Sequence, residues 1–155
     1  MTVDAVAPDE SSGAVVHARV AIVGSGFGGL GAAIRLKQQG IDDFVILERS
    51  ADLGGTWLDN SYPGCACDVE SHLYSFSFAP NPDWTRRFSP QPEIWAYLRR
   101  CAERYDVARH VRFGHEVRGA AWDDDARRWR VETTRGTTFV APVLVLASGA
   151  LSDAV

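Results

Sequence analysis

The sequence predicts an α/β fold: a parallel sheet with helices, and a β-meander on one side. Three observations predict it. Ala18–Val23, Phe44–Glu48 and Val143–Ala147 are short, apolar and rich in β-branched residues, the pattern of strands buried on both faces of a parallel sheet. A glycine-rich turn and a run of good helix formers separate the first two, which makes a βαβ unit. Later in the chain, three strand-like runs alternate with turn signals, as antiparallel hairpins do.

Residues 1–17 combine Ala, Asp, Ser, Gly and Pro without periodicity and read as a flexible leader. The domain proper is expected over residues 18–152. Its first strand runs straight into Gly24-Ser25-Gly26-Phe27-Gly28-Gly29. A helix is predicted over Leu30–Gln39, with Ala33, Ile34 and Leu36 on or near one face and Gly40 as its stop. The segment Arg49–Pro92 has no period and is rich in Gly, Pro, Asn, Ser and aromatics. An irregular stretch of that length inside a compact domain is expected to be functional. From Pro92 to Tyr105, residues Ile94, Leu98, Cys101 and Tyr105 recur at helical spacing. Val111–Phe113 is a short strand candidate. Glu116–Trp122, Arg128–Thr133 and Thr137–Ala141 form the meander, turning at Asp123-Asp124-Asp125 and Arg135-Gly136. The last strand ends at Ser148-Gly149.

Composition narrows the function. Of 155 residues, 46% are hydrophobic and 23% charged, which is ordinary for a soluble globular domain. The formal net charge of −4, without a basic block, speaks against a nucleic-acid partner. No apolar stretch approaches the roughly 20 residues that cross a bilayer. Residues 1–17 lack the cationic start and apolar run of a signal peptide, so a cytoplasmic setting is expected. Cys65, Cys67 and Cys101 are odd in number, and Cys65-Ala66-Cys67 has neither a redox spacer nor a second ligand pair downstream; no metal site is expected. His72 and His115 read as structural histidines.

The glycine turn has a physical task at each position. Gly24 permits the tight exit from the strand, Gly26 lets backbone approach a pyrophosphate, and Gly29 lets the helix pack closely on the strand. N–H groups at the helix start then face negative phosphates, aided by the helix dipole. Glu48, about 20 residues further on at the end of the second strand, is placed to accept hydrogen bonds from ribose hydroxyls and to repel a 2′-phosphate. This is a Rossmann-like arrangement for the adenosine diphosphate of FAD or NAD.

The next segment carries a resemblance that separates the two. Arg49-Ser50-Ala51-Asp52-Leu53-Gly54-Gly55-Thr56-Trp57 is similar to the second glycine pair of flavoproteins with two dinucleotide-binding domains. Gly54 to Phe78, with Tyr62-Pro63-Gly64 and Cys67-Asp68 at its centre, closely resembles the Baeyer–Villiger monooxygenases, the family of the phenylacetone, cyclohexanone and 4-hydroxyacetophenone monooxygenases. The likeness continues through Gln91-Pro92-Glu93-Ile94 and Trp122 to Ala147-Ser148-Gly149 and Leu151-Ser152. It covers residues 18–152.

The resemblance implies an FAD-binding portion that makes up the first third or less of a complete enzyme. An NADPH domain and a C-terminal part would lie outside this chain. It implies that Gly24, Ser25, Gly26, Phe27 and Gly29 cradle the FAD pyrophosphate and that Glu48 holds the ribose. Gly55, Thr56 and Trp57 would line the cofactor, with Asp68, Val69 and Tyr74 by the flavin end. Val117 would present its backbone to the adenine, and Ser148, Gly149 and Ala150 would close the site. Asp68 is the implied catalytic position, linking flavin and nicotinamide beside an arginine from a later part of the enzyme. Ala66 departs from the pattern, since many members carry arginine there. The implied activity is flavin-dependent monooxygenation with NADPH and O₂: oxygen insertion into ketones, or oxygenation of soft sulfur or nitrogen centres. Residues 1–155 alone are not expected to turn over. Two alternatives stay open: another two-dinucleotide-domain flavoprotein oxidoreductase, which the Tyr62–Phe78 block disfavours, and a non-catalytic nucleotide-binding module.

Overall fold

Apolar side chains on both faces of a strand require cover on both sides, and that requirement sets the layers. In the computed structural model, which describes residues 13–150, β2 (Val20–Val23) lies between β3 (Phe44–Leu47) and β8 (Val143–Leu146). β4 (Val111–Arg112) adds to β3, and all three pairings are parallel, in the order β4-β3-β2-β8. Alternation divides the side chains. Val20, Ile22, Phe44 and Ile46 face the layer of α1 (Phe27–Gln38) and α3 (Gln91–Arg104), where they meet Leu30, Ala33, Ile34, Ile94 and Leu98. Ala21, Val45 and Leu47 face the other way, onto Val131, Phe139 and Ala141.

Those three residues belong to the second sheet, built from β5 (Val117–Asp123), β6 (Arg128–Thr133) and β7 (Thr138–Ala141) as antiparallel neighbours. The meander therefore stands where the sequence predicts it. The leader reading needs correction. Val15–His17 form β1, which pairs in parallel with β7, Val15 opposite Thr138. Residues 1–12 of that leader lie outside the described residues. The first buried strand also starts later, at Val20, because the chain changes sheets there: Ala18 N–H donates to Val140 O (3.1 Å) and Arg19 N–H to Asp43 O (3.2 Å).

Both long helices begin slightly before their predicted starts. Pro92 sits in the first turn of α3, where its missing N–H breaks no bond. At the other end of α1, Ile41 N–H reaches Leu36 O (2.9 Å) and Gly40 N–H reaches Lys37 O (3.0 Å), a Schellman closure around Gly40. The irregular segment contains a four-residue helix, α2 (Thr56–Asp59), and a 3₁₀ turn at Ser71–Leu73. It is fastened rather than loose. Cys67 N–H donates to Ser89 O and Gln91 N–H to Cys65 O, both at 2.9 Å. Phe27 packs on Tyr74 and Phe76, each 5.1 Å away between ring centroids. Cys65, Cys67 and Cys101 are buried free thiols.

Where α1, α3 and the loop before β3 converge, charges alternate. Lys37 bridges Asp42 (2.6 Å) and Asp106 (2.9 Å), and Arg109 bridges the same two acids at 2.6 and 2.7 Å. Hydrogen bonding from Lys37, ahead of that from Arg109, lowers Asp42 to a pKa of about 2. A carboxylate lowered in the folded state stabilises fully above its unfolded value and loses that contribution as pH falls through the folded one. Asp42→Asn is therefore expected to lower the melting temperature at pH 7 slightly, as exposed pairs do. The difference from wild type should shrink as pH falls below 4 towards 2, and in high salt. Thermal melts across that range would check it; a difference that grows on acidification would refute the network.

Candidate functional site

The carboxyl ends of β2, β3 and β8 open onto a cleft of about 460 Å³, the usual ligand position in an open α/β sheet. Its floor is the turn from β2 into α1, and the steric reason for the glycines is visible there. A Cβ on Gly24 would lie 2.5 Å from Ala147 O, and one on Gly29 would lie 1.9 Å from Gly24 O. Gly26 begins α1 without a side-chain cap, and the first turn carries no acid. The first-turn N–H groups thus have no side-chain acceptor, the arrangement an anionic ligand would complete.

Glu48 follows β3 and is only 6% exposed. Its Oε2 accepts from the Ser25 hydroxyl (2.6 Å) and the Ser25 N–H (2.9 Å), while Oε1 accepts from Ser50 N–H (2.8 Å). Its backbone is held as well, to Arg112 O and by His115 N–H. The carboxylate sits at the cleft wall in one orientation.

Opposite lie Gly55, Thr56, Trp57 and Tyr74. The Trp57 indole N–H donates to the Tyr74 hydroxyl (3.1 Å), and the two rings meet edge to face. Burial raises the Tyr74 pKa; the Trp57 hydrogen bond opposes this, and the charges of Cys67 and Asp68 add to it. Gln91 Nε2 donates to Trp57 O and Trp95 Nε1 to Leu53 O (2.9 Å), so α3 anchors this wall from behind.

Of the residues singled out from sequence, Gly24, Ser25, Gly26, Phe27, Glu48, Gly55, Thr56, Trp57, Tyr74, Val117, Ser148 and Gly149 line the cleft. Gly29 lies beneath it, at the contact of α1 with the turn. Asp68, Val69 and Ala150 are exposed and outside the lining, although Asp68 is close enough to act on the Tyr74 hydroxyl. The lining also includes Arg49, Asp59 and Glu116, to which the sequence reading gave no role, and His115, which it read as a structural histidine. Arg49 faces Asp59 at 3.9 Å, and its position beside Glu48 was the available signal. His115 is buried, its Nδ1 3.1 Å from Phe113 O and its ring edge-on to Phe139. That burial fits the structural histidine expected from the sequence.

The family model for the NAD(P)-binding Rossmann-like domain matches residues 22–101, more than half of the chain. The chain belongs to that family. Within it, this Rossmann-like domain is similar to a Baeyer–Villiger monooxygenase of Streptomyces coelicolor, with 61% identity over 137 residues, 88% of this chain and 26% of that protein. The structure of oxidized steroid monooxygenase bound to NADP matches with a TM-score of 0.85 at 41% identity, covering 90% of this chain and 27% of the other. The OTEMO complex with FAD and NADP matches with a TM-score of 0.83 at 32% identity, over 89% and 27%. The likeness to Baeyer–Villiger monooxygenases read from the sequence therefore holds, as does the Rossmann-like fold. The chain spans about a quarter of the length of the relatives it matches. Among the described residues no helix is long and apolar enough to cross a membrane.

Proposed function

We propose that this domain binds FAD as part of an NADPH- and O₂-dependent monooxygenase acting on small-molecule ketones or soft heteroatom centres, in a cytoplasmic setting. One observation carries the reading: a cleft that joins an uncapped helix start to a buried, pre-oriented carboxylate and an aromatic wall. A flavin dinucleotide needs those groups together: N–H donors for the diphosphate, an acceptor for ribose hydroxyls and an apolar surface for the ring. The identity to Baeyer–Villiger monooxygenases selects FAD over NAD as the occupant.

In this reading the backbone of the Gly24–Gly29 turn binds the diphosphate and Glu48 orients the ribose. Val117 and the Ser148–Gly149 turn enclose the adenosine side. Gly55, Thr56, Trp57 and Tyr74 exclude water from the cofactor, and Asp68 and Val69 stand towards the flavin end, where the rest of the enzyme and NADPH would approach. When bound, FAD supplies the redox and oxygen chemistry, and the protein supplies position and shielding.

Titration with FAD, followed by flavin fluorescence, tests this. Glu48→Ala is expected to weaken binding about tenfold or more, the worth of a hydrogen bond to a charged group. No uptake by the wild type would refute the assignment. Residues 1–155 alone are expected to show no ketone-dependent NADPH oxidation, and a steady turnover by them would overturn the division of labour proposed here.

A further inference from the structure

We propose that Ser25 is a positioning residue: it locks the Glu48 carboxylate and thereby sets which adenosine ribose the site accepts. The inference rests on the FAD reading above. Ser25 is fully buried, so its hydroxyl has no water to bond. That hydroxyl and the Ser25 N–H both converge on one oxygen, Glu48 Oε2, at 2.6 and 2.9 Å, while Ser50 N–H holds Oε1 at 2.8 Å. Three donors from two separate segments fix both oxygens of the carboxylate.

The consequences follow from acceptor geometry. An ionised carboxylate offers about four lone-pair sites, and three protein donors leave room for a ribose hydroxyl without letting the group rotate away. A carboxylate held this firmly presents its charge to the sugar already oriented, so ribose binding pays little ordering entropy. It also cannot swing aside for a 2′-phosphate, whose like charge it meets at close range. Ser25 thus serves affinity and exclusion together, although its side chain spends its hydrogen bond on Glu48 rather than on the cofactor. Glu48 in turn bonds the Ser25 N–H, which fixes the glycine turn to the end of β3.

The test uses the intact protein with FAD, with FAD bearing a 2′-phosphate on its adenosine ribose, and with FMN, which has no adenosine. Dissociation constants are measured for wild type, Ser25→Ala, Glu48→Gln and the double variant. Ser25→Ala is expected to weaken FAD about tenfold, near the lower range of a hydrogen bond to a charged group. It should narrow the preference for FAD over its 2′-phosphorylated form by a similar factor and leave FMN affinity within about twofold. The double variant should bind FAD no more than about twofold worse than Glu48→Gln, because the two residues act as one unit. Additive losses, or an unchanged preference against the 2′-phosphate, would overturn the inference. Equal weakening of FAD and FMN would likewise show a merely structural role. A wild type that binds FAD while Ser25→Ala binds it equally well sinks this inference alone; a wild type that takes up no FAD sinks the FAD reading with it.

Discussion

Gly29→Ala is expected to destabilise the domain by about 3 kcal/mol, the upper range for forcing atoms into a packed interior, and to weaken FAD binding well beyond tenfold. The added Cβ would stand 1.9 Å from Gly24 O and 2.9 Å from Gly24 C. Both are backbone atoms of the turn, so no rotamer change relieves the contact. Either α1 tilts off the sheet, opening the layer where Leu30, Ala33 and Ile34 are wholly buried, or the turn moves and takes its N–H groups away from the proposed diphosphate site. A neighbouring position supplies the control. A Cβ on Gly28 meets only the Ala147 Cβ, at an ordinary 3.5 Å. Gly28→Ala should therefore hold or raise stability by up to about 1 kcal/mol through helix propensity. Urea unfolding of the two variants, read by tryptophan fluorescence, gives the comparison, and equal stabilities would contradict the packing argument.

The same contrast shows how much of the site was legible in the sequence. Gly24, Gly29 and Glu48 were readable because their places are local: a tight turn, a close helix contact and an acid at a strand end, all within one βαβ unit. The strands Val20–Val23, Phe44–Leu47 and Val143–Leu146 were readable because burial on both faces makes them continuous apolar runs. What escaped depends on partners far along the chain. Val15–His17 form a strand only because Thr138–Val140 lie alongside, more than a hundred residues away. The bond from Ser25 to Glu48 spans 23 residues and leaves no periodic trace, since a serine between two glycines looks like turn filler. Asp68 illustrates the opposite case. Its motif is conspicuous, yet its side chain stands exposed, outside the cleft lining.

Tyr97→Phe should produce the second large effect, loosening the aromatic wall without touching the cleft. Tyr97 lies on α3 and is 3% exposed. Its hydroxyl accepts the Phe76 N–H at 2.7 Å and donates to Ala79 O at 2.9 Å. It thus supplies one partner to each end of the turn that carries Phe76 and Phe78. Burial drives its pKa far above the usual phenol range, so the hydroxyl keeps its proton and its donor role throughout the stable pH range. Phenylalanine fills almost the same space but strands a backbone donor and acceptor, each costing about 1–3 kcal/mol where water cannot replace the bond. The expected loss is about 2–6 kcal/mol if both stay dry, smaller if the turn opens to solvent. Opening has its own signature. Amides at Tyr74–Ala79 should exchange with deuterium faster than in wild type while those of α1 keep their protection. Through Tyr74, which carries the Trp57 indole hydrogen bond, the change should reach the proposed flavin wall and raise the FAD dissociation constant several-fold. Unaltered exchange at Tyr74–Ala79 together with a stability loss under about 0.5 kcal/mol, the size of an ordinary surface change, would mean that packing of Phe27, Phe76 and Tyr97 holds the wall without the hydroxyl.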